Sequence, residues 1–296
     1  MTTYAEKAID KLIDKIEQLG NPTALGLDTR VEYLPPSFDV TKDAIKAVYD
    51  FNCALIDATL DIVPCVKVQV ACYEMLGVAG MKLFRDTLLY AHKRGMITIA
   101  DVKRNDIGAT AEAYAAAYFG PDAAFPADFV TLNPYLGIDG IAPFLARCEL
   151  YGGGVFTLVR TSNKSAGDFQ DLKIDGRPLY EHVGERVGEW GKGLLGSRGY
   201  SSVGAVVGAT WPEESKKLRD ALPQTFFLVP GYGAQGATAK DLSGCFDAQG
   251  RGALINASRS LLLAYKKRDM GDFAAATRDE AIRMRDEIRK EIYIKC

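Results

Sequence analysis

The chain has 296 residues, 48% of them hydrophobic and 25% charged, the composition of a folded globular protein and not of a disordered one. Thirty-six Lys and Arg against 38 Asp and Glu leave a formal net charge of −2, so no general basic field is present to hold a polyanion, and a nucleic-acid partner is not expected. No run of about 18 apolar residues predicts a membrane span, and the N-terminal residues lack the basic-then-apolar build of a signal peptide, so a cytoplasmic protein is expected.

In chain order, an amphipathic stretch at 4–19 predicts a first helix, followed by a short apolar run at 23–28 (TALGLD) that predicts a strand. A helix is then expected at 42–60, where Ile45, Val48, Tyr49, Leu55 and Ile56 recur at helical spacing, and a strand at 63–68. The alternation continues with a helix at 80–94, a strand at 96–101, a helix at 109–119, a strand at 128–132 and a helix at 138–147. It closes with strands at 154–160, 203–209, 225–230 and 252–256, separated by helices at 178–195 and 212–222 and followed by a helix at 278–293. A further helix is expected to start near Thr238. Strands recur at intervals of roughly 30 residues, the length a strand, a loop and a returning helix require. The strands are near-continuous apolar runs, as when both faces of a parallel sheet are covered. Eight such units predict a closed (β/α)8 barrel, a TIM barrel, with an extra N-terminal helix and one domain over residues 1–296. The main rival is an open doubly wound sheet. The polar segment 163–177 is long for a bare loop and reads either as a lid over one barrel end or as a solvent-exposed insertion.

The six cysteines, Cys53, Cys65, Cys72, Cys148, Cys245 and Cys296, form no C-x-x-C pair and read as reduced thiols. The two histidines, His92 and His182, both fall in expected outer helices, which argues against a histidine-rich metal site or a Ser–His triad.

In a barrel of this kind the active site lies at the carboxyl ends of the strands, and there the charges gather. The first strand ends in Asp28. The second carries Lys67, the third runs into Asp101-Val-Lys103-Arg-Asn-Asp106, and the fifth ends at Arg160-Thr-Ser162. Asp101 and Lys103 are two residues apart and would share one face of a strand. Alternating lysines and carboxylates in a poorly solvated mouth fix one another's charge state. Gly231, Gly233 and Gly236 leave backbone N–H groups bare after the seventh strand, and Arg259 follows the eighth. Together they suggest a phosphomonoester site. Gly231-x-Gly233-x-x-Gly236 also matches the dinucleotide fingerprint, but only 60 of the 296 residues follow Gly236 and no acidic residue stands about 20 positions on. No P-loop motif occurs.

The motif Asp101-x-Lys103-x-x-Asp106-Ile107-Gly-Ala-Thr110 resembles the signature of the orotidine 5′-monophosphate decarboxylase family, in its longer bacterial subgroup. The likeness extends to Asp28 in LGLDTR, Lys67 in VKVQ, Thr161-Ser162 in VRTSN, the PGYGAQG loop and Arg259 in NASR. Val68 departs from it where a proline is expected. The resemblance implies a cofactor-independent carboxy-lyase, without a metal, that converts orotidine 5′-monophosphate to uridine 5′-monophosphate and carbon dioxide in de novo pyrimidine synthesis. It implies that Lys103 protonates C6, that Asp101 holds Lys103 beside the departing carboxylate, and that Lys67 and Asp28 hold ribose hydroxyls. Asp106, with Ile107 and Thr110, would reach the neighbouring subunit's site in a homodimer. Ser162, or Thr161 beside it, would read the pyrimidine, and Gly231, Gly233, Gln235 and Arg259 would surround the phosphate. Two alternatives stay open: a Mg²⁺-dependent sugar-phosphate lyase or aldolase of the same barrel type, and a catalytically silent nucleotide-binding sensor.

Overall fold

A computed structural model describes residues 6–233, 236–268 and 271–293. Eight parallel strands close into a barrel: β1 (Thr23–Leu27), β2 (Cys65–Gln69), β3 (Ile97–Arg104), β4 (Phe129–Leu132), β5 (Gly154–Arg160), β6 (Ser201–Val207), β7 (Thr225–Pro230) and β8 (Ala253–Ala257). Each pairs with its successor, and β8 returns to β1 with Ala24 opposite Asn256. This is the expected TIM barrel. An open doubly wound sheet would leave two strands with an unpaired edge, and here every barrel strand is paired on both sides.

Before the barrel comes α1 (Ala8–Leu19). The outer layer holds α2 (Ala44–Thr59), α3 (Gly77–Lys93), α4 (Gly108–Tyr118), α5 (Ile138–Tyr151), α6 (Leu179–Gly191), α7 (Pro212–Ala221) and α8 (Phe273–Tyr293). Asp43 caps α2 by accepting from Lys46 N at 2.9 Å, and Asp272 does the same for α8 through Ala274 N and Ala275 N, both at 3.0 Å. That cap explains why α8 begins earlier than residue 278. His92 lies on α3 and His182 on α6, as expected. The five described cysteines are free, and Cys296 lies outside the described residues.

One expected helix is replaced. After β7, where a helix was expected near Thr238, the chain forms a 3₁₀ run, Lys240–Cys245. The segment is pressed against α7: a Cβ on Gly244 would stand 3.0 Å from the Pro212 carbonyl oxygen. Two short helices not expected from the sequence, Arg259–Leu262 and Ala264–Arg268, follow β8. The polar segment after β5 is also more ordered than a loop. It folds into a 3₁₀ turn, Lys164–Asp168, and a two-stranded hairpin, Lys173–Ile174 with Arg177–Pro178. Asp175 and Gly176 take φ of 51° and 80° at its turn, the Asp-Gly geometry that favours a tight hairpin.

The barrel interior is layered. Ala24, Cys65, Ile99, Phe129, Phe156, Phe226 and Leu254 form an apolar cluster with Ala8, Ile9, Leu12 and Ile13 of α1. The N-terminal helix therefore stoppers the end of the barrel where the strands begin. It is tied there by Asp10, whose carboxylate accepts from Ser197 N at 3.0 Å and Arg198 N at 2.9 Å. Moving two residues along each strand keeps the same face, and this step changes the chemistry. Lys67, Asp101, Thr131 and Asn256 stand there with Leu158, Val206 and Leu228, and all seven line a cavity at the carboxyl ends of the strands.

Candidate active site

The cavity has a volume of about 520 Å³, within the usual range for a small-molecule site. Asp101 is its centre. The residue is 6% exposed, and its carboxylate meets four donors. Its Oδ2 accepts from Lys67 Nζ at 2.6 Å and Gln69 Nε2 at 3.0 Å. Its Oδ1 accepts from Lys103 Nζ at 2.5 Å and Thr131 Oγ1 at 2.9 Å. Lys67 Nζ also stands 3.5 Å from Asp28 Oδ1.

Burial by itself would raise the Asp101 pKa, but the charges of Lys67 and Lys103 and their hydrogen bonds outweigh it and hold the carboxyl well below the usual range. Burial likewise would lower the pKa of Lys67, which is overcome by the charges of Asp101 and Asp28, so its ammonium is held above the usual lysine value. The two shifts agree in sense: one buried carboxylate and one buried ammonium keep each other ionised.

Lys103 reaches Asp101 by an unexpected route. Simple strand alternation would suffice on paper, yet the β3–β4 register shifts between Ala100 and Arg104 and Lys103 sits at φ 47°. A left-handed backbone at a residue with a Cβ costs about 1–2 kcal/mol. Thr131 on β4 holds it: its Oγ1 accepts from both Val102 N and Lys103 N at 2.9 Å while donating to Asp101. One buried hydroxyl thus fixes the backbone of the lysine and the carboxylate that orients it. Sequence reading passed over Thr131 because a threonine inside FVTL reads as an ordinary strand residue. Its only sequence signal is its position on the inward face two residues beyond Phe129. Gln69 and Asn256 were missed for the same reason.

Of the other residues expected here, Asp28, Thr161, Ser162, Gly231 and Arg259 line the cavity. Gly231 and Gly233 have φ of 114° and 72°, conformations that favour glycine; Gly233, expected at the phosphate, is not among the residues lining the cavity, because its N–H closes the loop by donating to the Ala237 carbonyl at 2.9 Å. Gln235 lies outside the described residues. Asp106, Ile107 and Thr110 do not join the cavity of their own chain. Asp106 instead accepts from Ile107 N at 2.8 Å, Ile107 is 56% exposed, and Thr110 is exposed. Arg160, grouped with the mouth charges from its place at the end of β5, turns the other way. It is 1% exposed, pairs with Asp171 at 2.7 Å and lies between the rings of Tyr180 and Trp211. Among the described residues no group of three or more His, Cys, Asp or Glu is arranged to hold a metal ion.

A closed eight-stranded α/β barrel with its charged cluster at the carboxyl ends of the strands defines the class: a TIM-barrel enzyme. The orotidine 5′-phosphate decarboxylase / HUMPS family model matches residues 32–271. Orotidine 5′-phosphate decarboxylase of Clostridium perfringens (strain SM101 / Type A) is 48% identical over 286 residues, covering 96% of this chain and 98% of that protein. That of Clostridium acetobutylicum is 48% identical over 288 residues, covering 96% and 99%. The solved structure of Leishmania donovani OMP decarboxylase superposes with a TM-score of 0.74 at 30% identity, covering 95% of this chain and 99% of that one. The chain belongs to the orotidine 5′-phosphate decarboxylase / HUMPS family.

Two outcomes follow. Thr131→Val removes the hydroxyl that holds Lys103 and is expected to lower kcat by about 10- to 100-fold, whereas Thr131→Ser keeps the bonds and the rate. Steady-state turnover of the two variants checks this, and a valine variant as fast as wild type refutes it. Asp101, with its folded pKa depressed, contributes stability that is complete above its unfolded value of about 3.9 and is lost as pH falls through the folded value. Asp101→Asn leaves the buried Lys67 ammonium with Asp28, 3.5 Å away, as its remaining carboxylate and is expected to cost about 3 kcal/mol near neutral pH. The deficit narrows below about pH 4, where the unfolded wild-type chain takes up the proton that the folded carboxylate refuses. Denaturant melts of both proteins from neutral to acid pH measure the gap; a gap independent of pH contradicts the assignment.

Proposed function

We propose that Lys103, held by Asp101, delivers a proton to C6 of the pyrimidine as orotidine 5′-monophosphate loses carbon dioxide and becomes uridine 5′-monophosphate. The relatives at 48% identity are orotidine 5′-phosphate decarboxylases, and the observation that carries the roles is the Lys67–Asp101–Lys103 array facing one cavity. In the step, the bond from C6 to the carboxyl carbon breaks and its electron pair stays on C6. The Lys103 ammonium stabilises that developing charge and then gives C6 the proton, and the lysine amine regains one from water. Asp101 keeps the ammonium pointed at C6 and stands beside the leaving carboxylate. Leu158, Val206 and Leu228 provide an apolar wall suited to the flat ring, with Ser162 at its polar edge. Lys67 and Asp28 are placed for the ribose hydroxyls. Gly231 and Arg259 offer a backbone N–H group and a cation to the phosphate, whose binding away from C6 serves to stabilise the transition state.

The barrel with its two terminal helices acts in this reading as one domain. Among the described residues no helix is long and apolar enough to cross a membrane, and the five described cysteines are free, which supports a cytoplasmic location. A homodimer accounts for Asp106, Ile107 and Thr110, which stand outside their own cavity. With the exposed Ile107 stand further exposed apolar side chains, Tyr135 at 86%, Leu136 at 44% and Ile138 at 44%, and such a grouping marks an association surface. The Asp106 backbone abuts the start of α5, where a Cβ on Gly140 would lie 3.0 Å from its carbonyl oxygen.

Lys103→Ala is expected to lose at least about 10³-fold in turnover while still binding uridine 5′-monophosphate. The absorbance change on decarboxylation and a titration with the product test it, and near-normal turnover rejects Lys103 as the proton donor. If Asp106 acts across a subunit boundary, mixing inactive Lys103→Ala and Asp106→Ala proteins is expected to restore activity in mixed dimers. No restoration, with subunit exchange demonstrated by differently tagged chains, favours a self-contained site.

A further inference from the structure

The insertion between β5 and α6, residues 163–177, plays no part in the roles assigned above, yet it enters the cavity through Asn163 and Gln170. We propose that this insertion is a brace for the Thr161–Ser162 ledge at the pyrimidine edge, with Gln170 as its positioning residue. The proposal rests on the placement of Ser162 at the base.

Both ends of the Gln170 amide are committed to one neighbour. Its Oε1 accepts from Thr161 N at 3.0 Å, and its Nε2 donates to Thr161 Oγ1 at 2.7 Å. The Thr161 hydroxyl in turn donates a hydrogen bond to Asn163 Oδ1 at 2.7 Å. The remaining backbone acceptors of the ledge are held from the β6–α7 connection: Trp211 Nε1 donates to the Thr161 carbonyl at 2.9 Å and Thr210 Oγ1 to the Ser162 carbonyl at 3.3 Å. Beneath, Gly208 permits close approach, since a Cβ there would stand 2.8 Å from Ser162 Cα. The backbone that carries the Ser162 side chain is therefore fixed on three sides, and only one of those sides depends on the insertion.

The insertion is itself anchored so that Gln170 is not free to drift. Gln170 N donates to the Ala166 carbonyl at 2.8 Å and its own carbonyl accepts from Tyr180 N at 3.2 Å. The next residue, Asp171, pairs with the buried Arg160 at 2.7 Å. Arg160, set between Tyr180 and Trp211 with its centre 4.9 Å and 4.1 Å from their rings, thus clasps the base of the insertion to the strand that bears the ledge. Because its amide is used on Thr161, Gln170 acts on the base through Ser162 and not by touching it.

The test compares uridine 5′-monophosphate, which carries the base, with ribose 5-phosphate, which lacks it. Loss of two hydrogen bonds in Gln170→Ala is expected to weaken binding of uridine 5′-monophosphate by about tenfold and to leave ribose 5-phosphate unchanged. Gln170→Glu, which keeps the acceptor and loses the donor, is expected to fall between. Thr161→Val should repeat the alanine result and Thr161→Ser the wild type, so the outcome does not hinge on one variant folding. In a Ser162→Ala background, Gln170→Ala should cause no further loss. Equal weakening of both ligands, additivity with Ser162→Ala, or unchanged nucleotide binding in Gln170→Ala overturns the brace. Unchanged nucleotide binding in Ser162→Ala overturns instead the placement of Ser162 on which the brace stands.

Discussion

The site is organised by the need to keep one buried carboxylate ionised. Asp101 has little access to water and could not stay charged there alone, since a lone carboxylate in such a place neutralises. Lys67 and Lys103 supply opposite charge from either side, and Gln69 and Thr131 occupy further lone pairs. The requirement reaches into the backbone. Lys103 adopts a left-handed conformation that its residue type disfavours, and a hydroxyl from the next strand accepts the two N–H groups that this conformation exposes. Strain of this kind persists where the surroundings determine it from several directions, and here they do so through β2, β3 and β4 together.

The layered interior explains how a barrel core becomes a reaction vessel within two residues. Cys65, Ile99, Phe129 and Leu254 pack as an ordinary apolar core, sealed from below by α1. One step up on the same four strands stand Lys67, Asp101, Thr131 and Asn256, while β5, β6 and β7 keep Leu158, Val206 and Leu228 at that height. Charge is thereby confined to one side of the cavity and an apolar wall to the other. Such an asymmetric vessel suits a flat, weakly polar ring whose charge develops at a single atom, because fixed charges act most strongly where water is scarce.

The architecture was legible in the sequence because eight β-branched runs at regular spacing leave a parallel barrel as the economical arrangement, and strand-end charges then point to the mouth. Asp28, Lys67, Asp101 and Lys103 were readable as a group for that reason. Thr131 and Gln69 were not, since an uncharged polar residue in a strand carries no signal until its neighbours in space are known. Arg160 misled in the opposite sense: from its position it belonged with the mouth charges, but two aromatic rings and Asp171, all distant in sequence, draw it outward. The helix expected near Thr238 failed because tight packing on α7 through Gly244 is a tertiary constraint that local spacing does not contain.

The seating of α1 bears on the order in which the molecule assembles. Its apolar face fits against barrel-lining residues from β1 to β8, and its tethers are Asp10 to Ser197 and Arg198 together with Ala8 N to the Gly152 carbonyl at 2.7 Å. The helix precedes in sequence every strand it covers, yet its berth is completed only when the eighth strand has closed the ring. Until then Ile9, Leu12 and Ile13 travel without a home, so a helix made before the barrel docks only after it, and the growing polypeptide carries an uncovered greasy face while the eight strands are made.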